Sequence, residues 1–90
     1  MLLSLCIPSV ENHFTYEYIR STIAKSNLGT IYNIKESSSY TNRNSKKVFV
    51  TMQVDGANEY RRQLVERLAQ GKNIKIMHEE PYYWKMVQCK

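Results

Sequence analysis

Three side chains with binding chemistry, Lys47, Phe49 and Thr51, recur at every second position in the stretch from Lys46 to Val54. A spacing of two places them on one face of a β-strand. The intervening positions are apolar and predict a face turned toward a core, formed by Val48, Val50, Met52 and Val54. A cation, a ring and a hydroxyl on an open sheet face suit a stacked, negatively charged ligand better than they suit water. The stretch therefore predicts a binding surface at the centre of the fold.

The strands and helices predicted elsewhere in the chain must position this strand. Apolar residues at alternating positions predict three further strands, around Leu5, Tyr32 and Ile76. Apolar residues at helical spacing predict two helices. The expected core positions of these helices are Tyr16, Ile19 and Ile23 in the first and Tyr60, Leu64 and Leu68 in the second. Thr15 is expected to cap the first helix, and Gly71 to end the second.

The predicted order of elements is strand, helix, strand, strand, helix, strand. Two right-handed βαβ units, each split by a neighbouring strand, give an α+β, ferredoxin-like βαββαβ sandwich. Its four-stranded antiparallel sheet has the order 4-1-3-2 and carries both helices on one face. The first and third strands are then central, and the face with Lys47, Phe49 and Thr51 is left uncovered.

Composition narrows the classes of partner. The 90 residues suffice for one small domain, and 13 Lys and Arg against 8 Asp and Glu give a net charge of +5, which permits a polyanion. Cys6 and Cys89 are too few and too far apart for a disulfide framework or a zinc site, so we expect no metal and a reducing compartment. The apolar start lacks the pattern of a signal peptide, and no apolar run could cross a bilayer. We therefore expect neither secretion nor a membrane partner.

Groups that could catalyse a reaction are scattered along the chain. His13 and His78 lie on different predicted elements and have no nucleophile spaced as a partner. Glu79 and Glu80 are adjacent on an extended segment, where successive side chains point in opposite directions. The chain also lacks a glycine loop for phosphate and a Cys-x-x-Cys pair. We expect a protein that is not an enzyme, with no cofactor and no small-molecule substrate.

The order and size of the elements up to about His78 make the chain resemble an RNA recognition motif domain. In that family, aromatic rings on the first and third strands stack on bases. Matching Ser45 to Met52 with the third-strand motif puts Phe49 at its second ring position, Lys47 at its first, and Lys46 where glycine is usual. The resemblance implies a single domain over residues 1–78 that binds single-stranded RNA.

The first-strand motif of the family matches Leu5 to Val10 and puts Cys6 at the remaining ring position, so one stacking ring of three is present. Each stacked base contributes about 1–3 kcal/mol, so the two missing rings lower the expected affinity. Cations near Phe49 would hold phosphates. The RNA-binding residues that the resemblance implies are Phe49, Lys47, Cys6, Thr51, Lys35, Lys75, Arg43 and Lys46.

Residues 79–90 follow this domain as an aromatic tail that we expect to pack on it. The tail segment Glu79-Glu80-Pro81-Tyr82-Tyr83-Trp84-Lys85 resembles the tails of small RNA-recognition-like proteins of nucleocytoplasmic large DNA viruses, the giant viruses. The other fragments that carry this resemblance are Ile7-Pro8, Leu28-Gly29-Thr30-Ile31, Val48-Phe49-Val50 and Gly71-Lys72-Asn73-Ile74-Lys75-Ile76. The resemblance to these viral proteins implies a location in the cytoplasm or nucleus of an infected host cell, or in the virion.

Tyr82, Tyr83 and Trp84 need an apolar environment after Pro81, which is expected to end the fourth strand. Two placements are open: extra core below the sheet edge or against a helix, or a cover over the open sheet face that occupies it or lends it rings. A second function is therefore also open, a protein interaction or assembly module that docks on a protein partner or on a second copy of itself. The missing stacking rings and the abundance of Tyr, which is enriched at interfaces, favour this alternative.

Overall fold

The computed structural model describes residues 2–38, 44–54, 58–79 and 81–89. Within these ranges the chain forms an α+β domain with two helices and one open antiparallel sheet of five strands, in the order β2-β3-β1-β5-β4. The elements are β1 (Leu2–Glu11), α1 (Tyr16–Lys25), β2 (Thr30–Ser38), β3 (Ser45–Gln53), α2 (Glu59–Ala69), β4 (Ile74–Glu79) and β5 (Tyr82–Gln88).

The strand count predicted from the sequence is wrong, because residues of the expected tail form a fifth strand. β5 lies between β1 and β4 and is antiparallel to both. Its side chains alternate, with Trp84 and Met86 buried and Tyr83 and Lys85 exposed, which is the pattern of a half-buried strand. Pro81 stands in the connection between β4 and β5, so the fourth strand ends before it as predicted, but the chain then returns to the sheet. β4 is therefore an outer strand parallel to β1, and the order 4-1-3-2 does not describe this sheet.

The core lies on one face of the sheet, where alternate side chains of the central strands β1 and β3 meet. Leu5 pairs with Val50, Ile7 pairs with Val48, and these four side chains are almost fully buried. Burial of an aliphatic side chain of this size contributes about 1.5–3 kcal/mol. The apolar row predicted for β3 is confirmed, since all of its members are buried.

Both helices pack on this face, and their buried residues join the cluster formed by the strands. α1 contributes Ile19 and Ile23, and α2 contributes Leu68. Tyr16 and Tyr60 were predicted as core positions but are exposed, because each lies at the beginning of its helix. None of the helices in the described ranges combines the length and the apolar character that a membrane span requires.

Local sequence sets the ends of the helices. Thr15 caps α1 as predicted, with its Oγ1 accepting a hydrogen bond from the Tyr18 N–H at 3.1 Å. Asn58 caps α2 in the same way, with its Oδ1 accepting from the Arg61 N–H at 2.8 Å. Gly71 follows α2 with a φ of 79°, a left-handed conformation that favours glycine. Thr15 and Asn58 thus set where the helices begin, and Gly71 lets the chain turn back toward the sheet after α2.

Gly29 lies just before β2, where the backbone passes close to the end of β3. A Cβ atom at this position would overlap the carbonyl oxygen of Gln53. A side chain here would therefore push β2 away from β3, and the close approach fixes the position of β2 in the sheet.

Candidate functional site

The sheet face opposite the helices is uncovered in the part of the chain that the structure describes, and we call it the open face. Its central row joins three strands, because Lys35 of β2 pairs with Phe49 of β3, which in turn pairs with Cys6 of β1. The next row joins Asn33, Thr51 and Ser4 in the same way. Direct partners in antiparallel strands project to the same side of the sheet. Phe49 lies on β3, between Lys35 and Cys6, and is 40% exposed.

β5 and β4 extend the open face beyond β1. The alternate residues of β5 face the core, so Tyr83 and Lys85 face the open side. Tyr83 is 39% exposed and pairs with Met77 of β4. The Lys75 Nζ lies 4.8 Å from the centroid of the Tyr83 ring, which is the geometry of a cation–π contact. Phe49 and Tyr83 are thus exposed rings of the open face that lie on either side of β1.

Lysines surround these two rings. Within the described residues, the exposed lysines on the open face are Lys35, Lys47, Lys75 and Lys85. Lys75 and Lys85 are direct cross-strand partners, and like charges in this relation destabilise an antiparallel pair. A bound anion beside them would reduce this repulsion. Sequence reasoning missed Lys85, although its spacing of two from Tyr83 was a signal that both belong to one strand face.

Lys46 does not belong to the open face, although the sequence analysis included it among the RNA-binding residues. It is adjacent to Lys47 on a strand, so its side chain points to the helix side. Its Nζ lies 2.8 Å from Glu36 Oε1 and donates a hydrogen bond to the carbonyl oxygen of Phe14 at 2.8 Å. Lys46 therefore ties β3 to β2 and to the start of α1. Arg43, also predicted to bind RNA, lies outside the described residues.

The aromatic residues predicted for the tail are divided between the two faces of the sheet. Trp84 is 3% exposed and stacks on His78 with ring centroids 4.5 Å apart. It also meets Phe14 edge to face at 5.5 Å. Tyr82 lies on the outer side of His78, with centroids 6.4 Å apart, and is 64% exposed. Neither placement considered from the sequence includes this arrangement, because the tail is a strand inside the sheet: Trp84 completes the core and Tyr83 joins the open face.

A cleft interrupts the sheet between β1 and β5. The two strands pair at Leu5 with Gln88 and at Cys6 with Val87, and β1 then bulges between Ile7 and Val10. Pro8 lies in this bulge and has no N–H to donate to a neighbouring strand. The cleft has a volume of about 340 Å³, and its lining residues are Pro8, Ser9, Glu11, Tyr83, Trp84 and Lys85.

One polar contact crosses this cleft. The Trp84 Nε1 donates a hydrogen bond to Glu11 Oε2 at 3.4 Å. The Glu11 carboxylate and the Trp84 indole thus meet at a break of the sheet. The position of Pro8 inside an otherwise alternating strand was the sequence signal for this break.

Cys6 and Cys89 lie together on the open face. Burial raises the pKa of the Cys6 thiol above its usual value, the neighbouring Cys89 raises it further, and the cation of Lys47 partly opposes both. A thiol with a raised pKa is a weak nucleophile at neutral pH, because little of it is ionised. Cys6 therefore fits the open face as a small, weakly reactive residue beside Phe49.

The rings of His13 and His78 lie against other aromatic rings of the described residues. The His13 ring lies 4.2 Å from that of Phe14, and Phe14 lies 5.1 Å from His78. Tyr18 Oη donates a hydrogen bond to the backbone carbonyl of His78 at 2.9 Å. In the ranges that the structure describes, no three His, Cys, Asp or Glu side chains come together as a metal site requires. Among the described residues, the rings and cations of the open face point to the same side of the sheet. This arrangement is suited to binding.

Comparison with known proteins adds no relative: no protein-family model, no curated protein and no solved structure matches this chain.

Proposed function

We propose that this protein binds single-stranded RNA on the open face of its sheet. The observation that carries the proposal is Phe49, which is exposed on β3 with Lys35 as its partner on β2 and Lys47 two residues before it on the same strand. An exposed ring stacks on an unpaired base, and lysines neutralise phosphates, so this combination suits a single strand whose bases are accessible. The role is binding and not catalysis.

The position of β5 supports a ferredoxin-like, RNA-recognition-like reading of the fold. β5 lies beside β1 and antiparallel to it, which is the place and direction of the fourth strand in a sheet of order 4-1-3-2. On this reading, β5 substitutes for the fourth strand and β4 is an addition at the edge. Tyr83 on β5 then supplies a second ring to a surface in which Cys6 occupies an aromatic position of the family.

The spacing of the rings indicates how a strand of RNA would lie. Phe49 and Tyr83 are two strands apart and four residues apart along the strand direction, since Cys6 is the partner of both Phe49 and Val87. Strand spacings of about 4.8 Å and a rise of about 3.3 Å per residue place the rings roughly 16 Å apart. Stacked bases are only about 3.4 Å apart, so the two rings would receive bases that are not neighbours. Lys47 and Lys85 lie in the row between the rings, where the intervening phosphates would pass.

The ring contribution is tested by fluorescence anisotropy with a labelled single-stranded RNA of mixed sequence. Phe49→Ala is expected to weaken binding by about 5- to 150-fold, which corresponds to the loss of about 1–3 kcal/mol of stacking. Tyr16→Ala is the matched control, because Tyr16 is also 40% exposed but lies on α1. Equal affinities for the wild type and Phe49→Ala would rule out stacking on the open face.

The charge contribution is tested in the same titration at several salt concentrations. Lys47→Glu is expected to lower the slope of log affinity against log salt by about 0.7 or more, since each phosphate contact with a single strand contributes about that much. Arg20→Glu makes the same change of charge on an exposed position of α1 and is expected to leave the slope close to that of the wild type. Equal effects of the two variants would mean that binding depends on net charge and not on the open face.

We also propose, as a second candidate function, that the outer edge of β4 docks on another protein or on a second copy of this chain. β4 is the last strand in the sheet order, and its Met77 is 55% exposed beside that edge. Edge strands offer unpaired backbone groups that can pair with another strand. Light scattering after size exclusion is expected to show association that Met77→Lys reduces, and a monomer at all concentrations would exclude self-pairing at this edge.

A further inference from the structure

The two cysteines, at opposite ends of the sequence, are neighbours on the open face. Cys6 pairs with Val87, and the backbone N–H of Cys89 donates to the carbonyl oxygen of Ser4 at 2.8 Å. This register makes Cys89 the diagonal neighbour of Cys6 on the same side of the sheet. Both cysteines are free and partly exposed.

We propose that Cys6 and Cys89 form a reversible disulfide that fastens β5 to β1 when the protein meets a low-molecular-weight disulfide such as glutathione disulfide. This modification site does not depend on RNA binding. It concerns the attachment of β5, the strand that carries Tyr83 and Lys85.

The geometry indicates a bond that forms with some strain. Diagonal neighbours in an antiparallel pair have Cα atoms about 7–8 Å apart, and disulfides join Cα atoms that are mostly about 4.4–6.8 Å apart. Closure of the bond therefore requires the end of β5 to move slightly toward β1. Strained or exposed disulfides are reduced more easily than relaxed, buried ones. The bond is accordingly expected to open and close with the redox state of its surroundings.

The chemistry is an ordinary thiol–disulfide exchange in two steps. The thiolate of one cysteine attacks a sulfur of glutathione disulfide, which forms a mixed disulfide and releases one glutathione thiolate. The second cysteine loses its proton to solvent and attacks the protein sulfur of the mixed disulfide, which releases the second glutathione. Two protein thiols are thereby oxidised to one disulfide, and one glutathione disulfide is reduced to two glutathione thiols.

The bond would have a large effect because β5 is weakly attached on this side. Backbone pairing between β1 and β5 involves Leu5 with Gln88 and Cys6 with Val87, followed by the bond from Cys89 to Ser4. Beyond Pro8 the strands are separated by the cleft. A covalent link between residues 6 and 89 would also close almost the whole chain into a loop, which restricts the unfolded state.

The experiment equilibrates the wild-type protein in glutathione buffers of increasing oxidised fraction and follows it by intact mass, free-thiol titration and size exclusion. The expected product is a single polypeptide by intact mass, without an intermolecular disulfide, that has lost two hydrogen atoms and both free thiols and that regains them on reduction. A stable glutathione adduct, a disulfide-linked dimer, or persistence of both thiols in excess glutathione disulfide would each overturn the proposal.

A second measurement distinguishes a bond that fits the fold from one that forms in unfolded chains. The oxidised wild type is expected to melt roughly 10 °C or more above the reduced protein. Cys89→Ser is the control, because it retains Cys6 and is expected to form only a mixed disulfide without this rise. An oxidised wild type with an unchanged or lower Tm would overturn the claim that the bond fastens β5 to β1.

Discussion

Replacement of Trp84 by alanine tests whether the C-terminal segment is part of the sheet. Trp84 is 3% exposed and lies among His78, Phe14 and Tyr18. Loss of a buried Trp side chain costs about 3–5 kcal/mol, from lost burial and from the cavity that remains. A domain of this length has a free energy of unfolding of about 5–13 kcal/mol. Trp84→Ala is therefore expected to remove about a quarter or more of the total stability and to lower Tm by roughly 12–40 °C.

Tyr82→Ala provides the control from the same strand. Tyr82 is 64% exposed, and its ring stacks on that of His78. Its loss is expected to cost less than about 1.5 kcal/mol, which is the range of a surface substitution with one ring contact. The two variants, Trp84→Ala and Tyr82→Ala, change residues that are close together on β5 but differ in how deeply the side chain is buried.

Urea denaturation followed by far-UV circular dichroism measures both variants. Tryptophan fluorescence is unsuitable, because Trp84 is the chain's single Trp and the variant lacks it. Comparable free energies of unfolding for Trp84→Ala and Tyr82→Ala would refute the placement of β5 in the sheet. A large loss for Trp84→Ala alone would support it.

Three further predictions concern other parts of the structure. Gly29→Ala is expected to lower the free energy of unfolding by about 1–3 kcal/mol in urea denaturation, because a Cβ overlaps the backbone of β3; an unchanged midpoint would contradict the close approach. Lys46→Met is expected to cost about 1–3 kcal/mol, since the Phe14 carbonyl loses its charged donor, and to leave RNA affinity unchanged; a loss of affinity equal to that of Lys47→Glu would show that both lysines face the ligand. Alkylation of Cys6, followed by peptide mass mapping, is expected to have a pH midpoint above that of free cysteine, because burial raises its pKa, and Lys47→Gln is expected to move the midpoint higher because the opposing cation is lost; a downward move would contradict the contact.

The sequence predicts which side chains of β3 are buried, because this property depends on the alternation of residues within the strand itself. A period of two determines which side chains share a face, so the buried row from Val48 to Val54 follows without knowledge of the partner strands. The same rule separates Lys46 from Lys47. Lys46 and Lys47 were both expected to bind phosphates because both lie near Phe49 in the sequence, although adjacent side chains leave a strand on opposite sides.

The part that the sequence did not predict depends on pairing between distant segments. Pro81 follows the end of β4 as expected, but the return of the chain to the sheet as β5 was not predicted. The alternation of Tyr83 and Lys85 with Trp84 and Met86 was visible, but its choice of β1 as partner is a contact across the whole chain. The proximity of Cys6 and Cys89 follows from that pairing and was likewise not predictable from their separation in sequence.

The most direct test of the open face as an RNA-binding surface is a titration of the isotope-labelled protein with single-stranded RNA, followed by amide and aromatic NMR shifts. We predict that the largest shifts fall on Cys6, Phe49 and Tyr83 and on the lysines beside them, while the amides of α1 and α2 change little. Absence of shifts at saturating RNA, or shifts confined to the helices, would contradict binding on the open face.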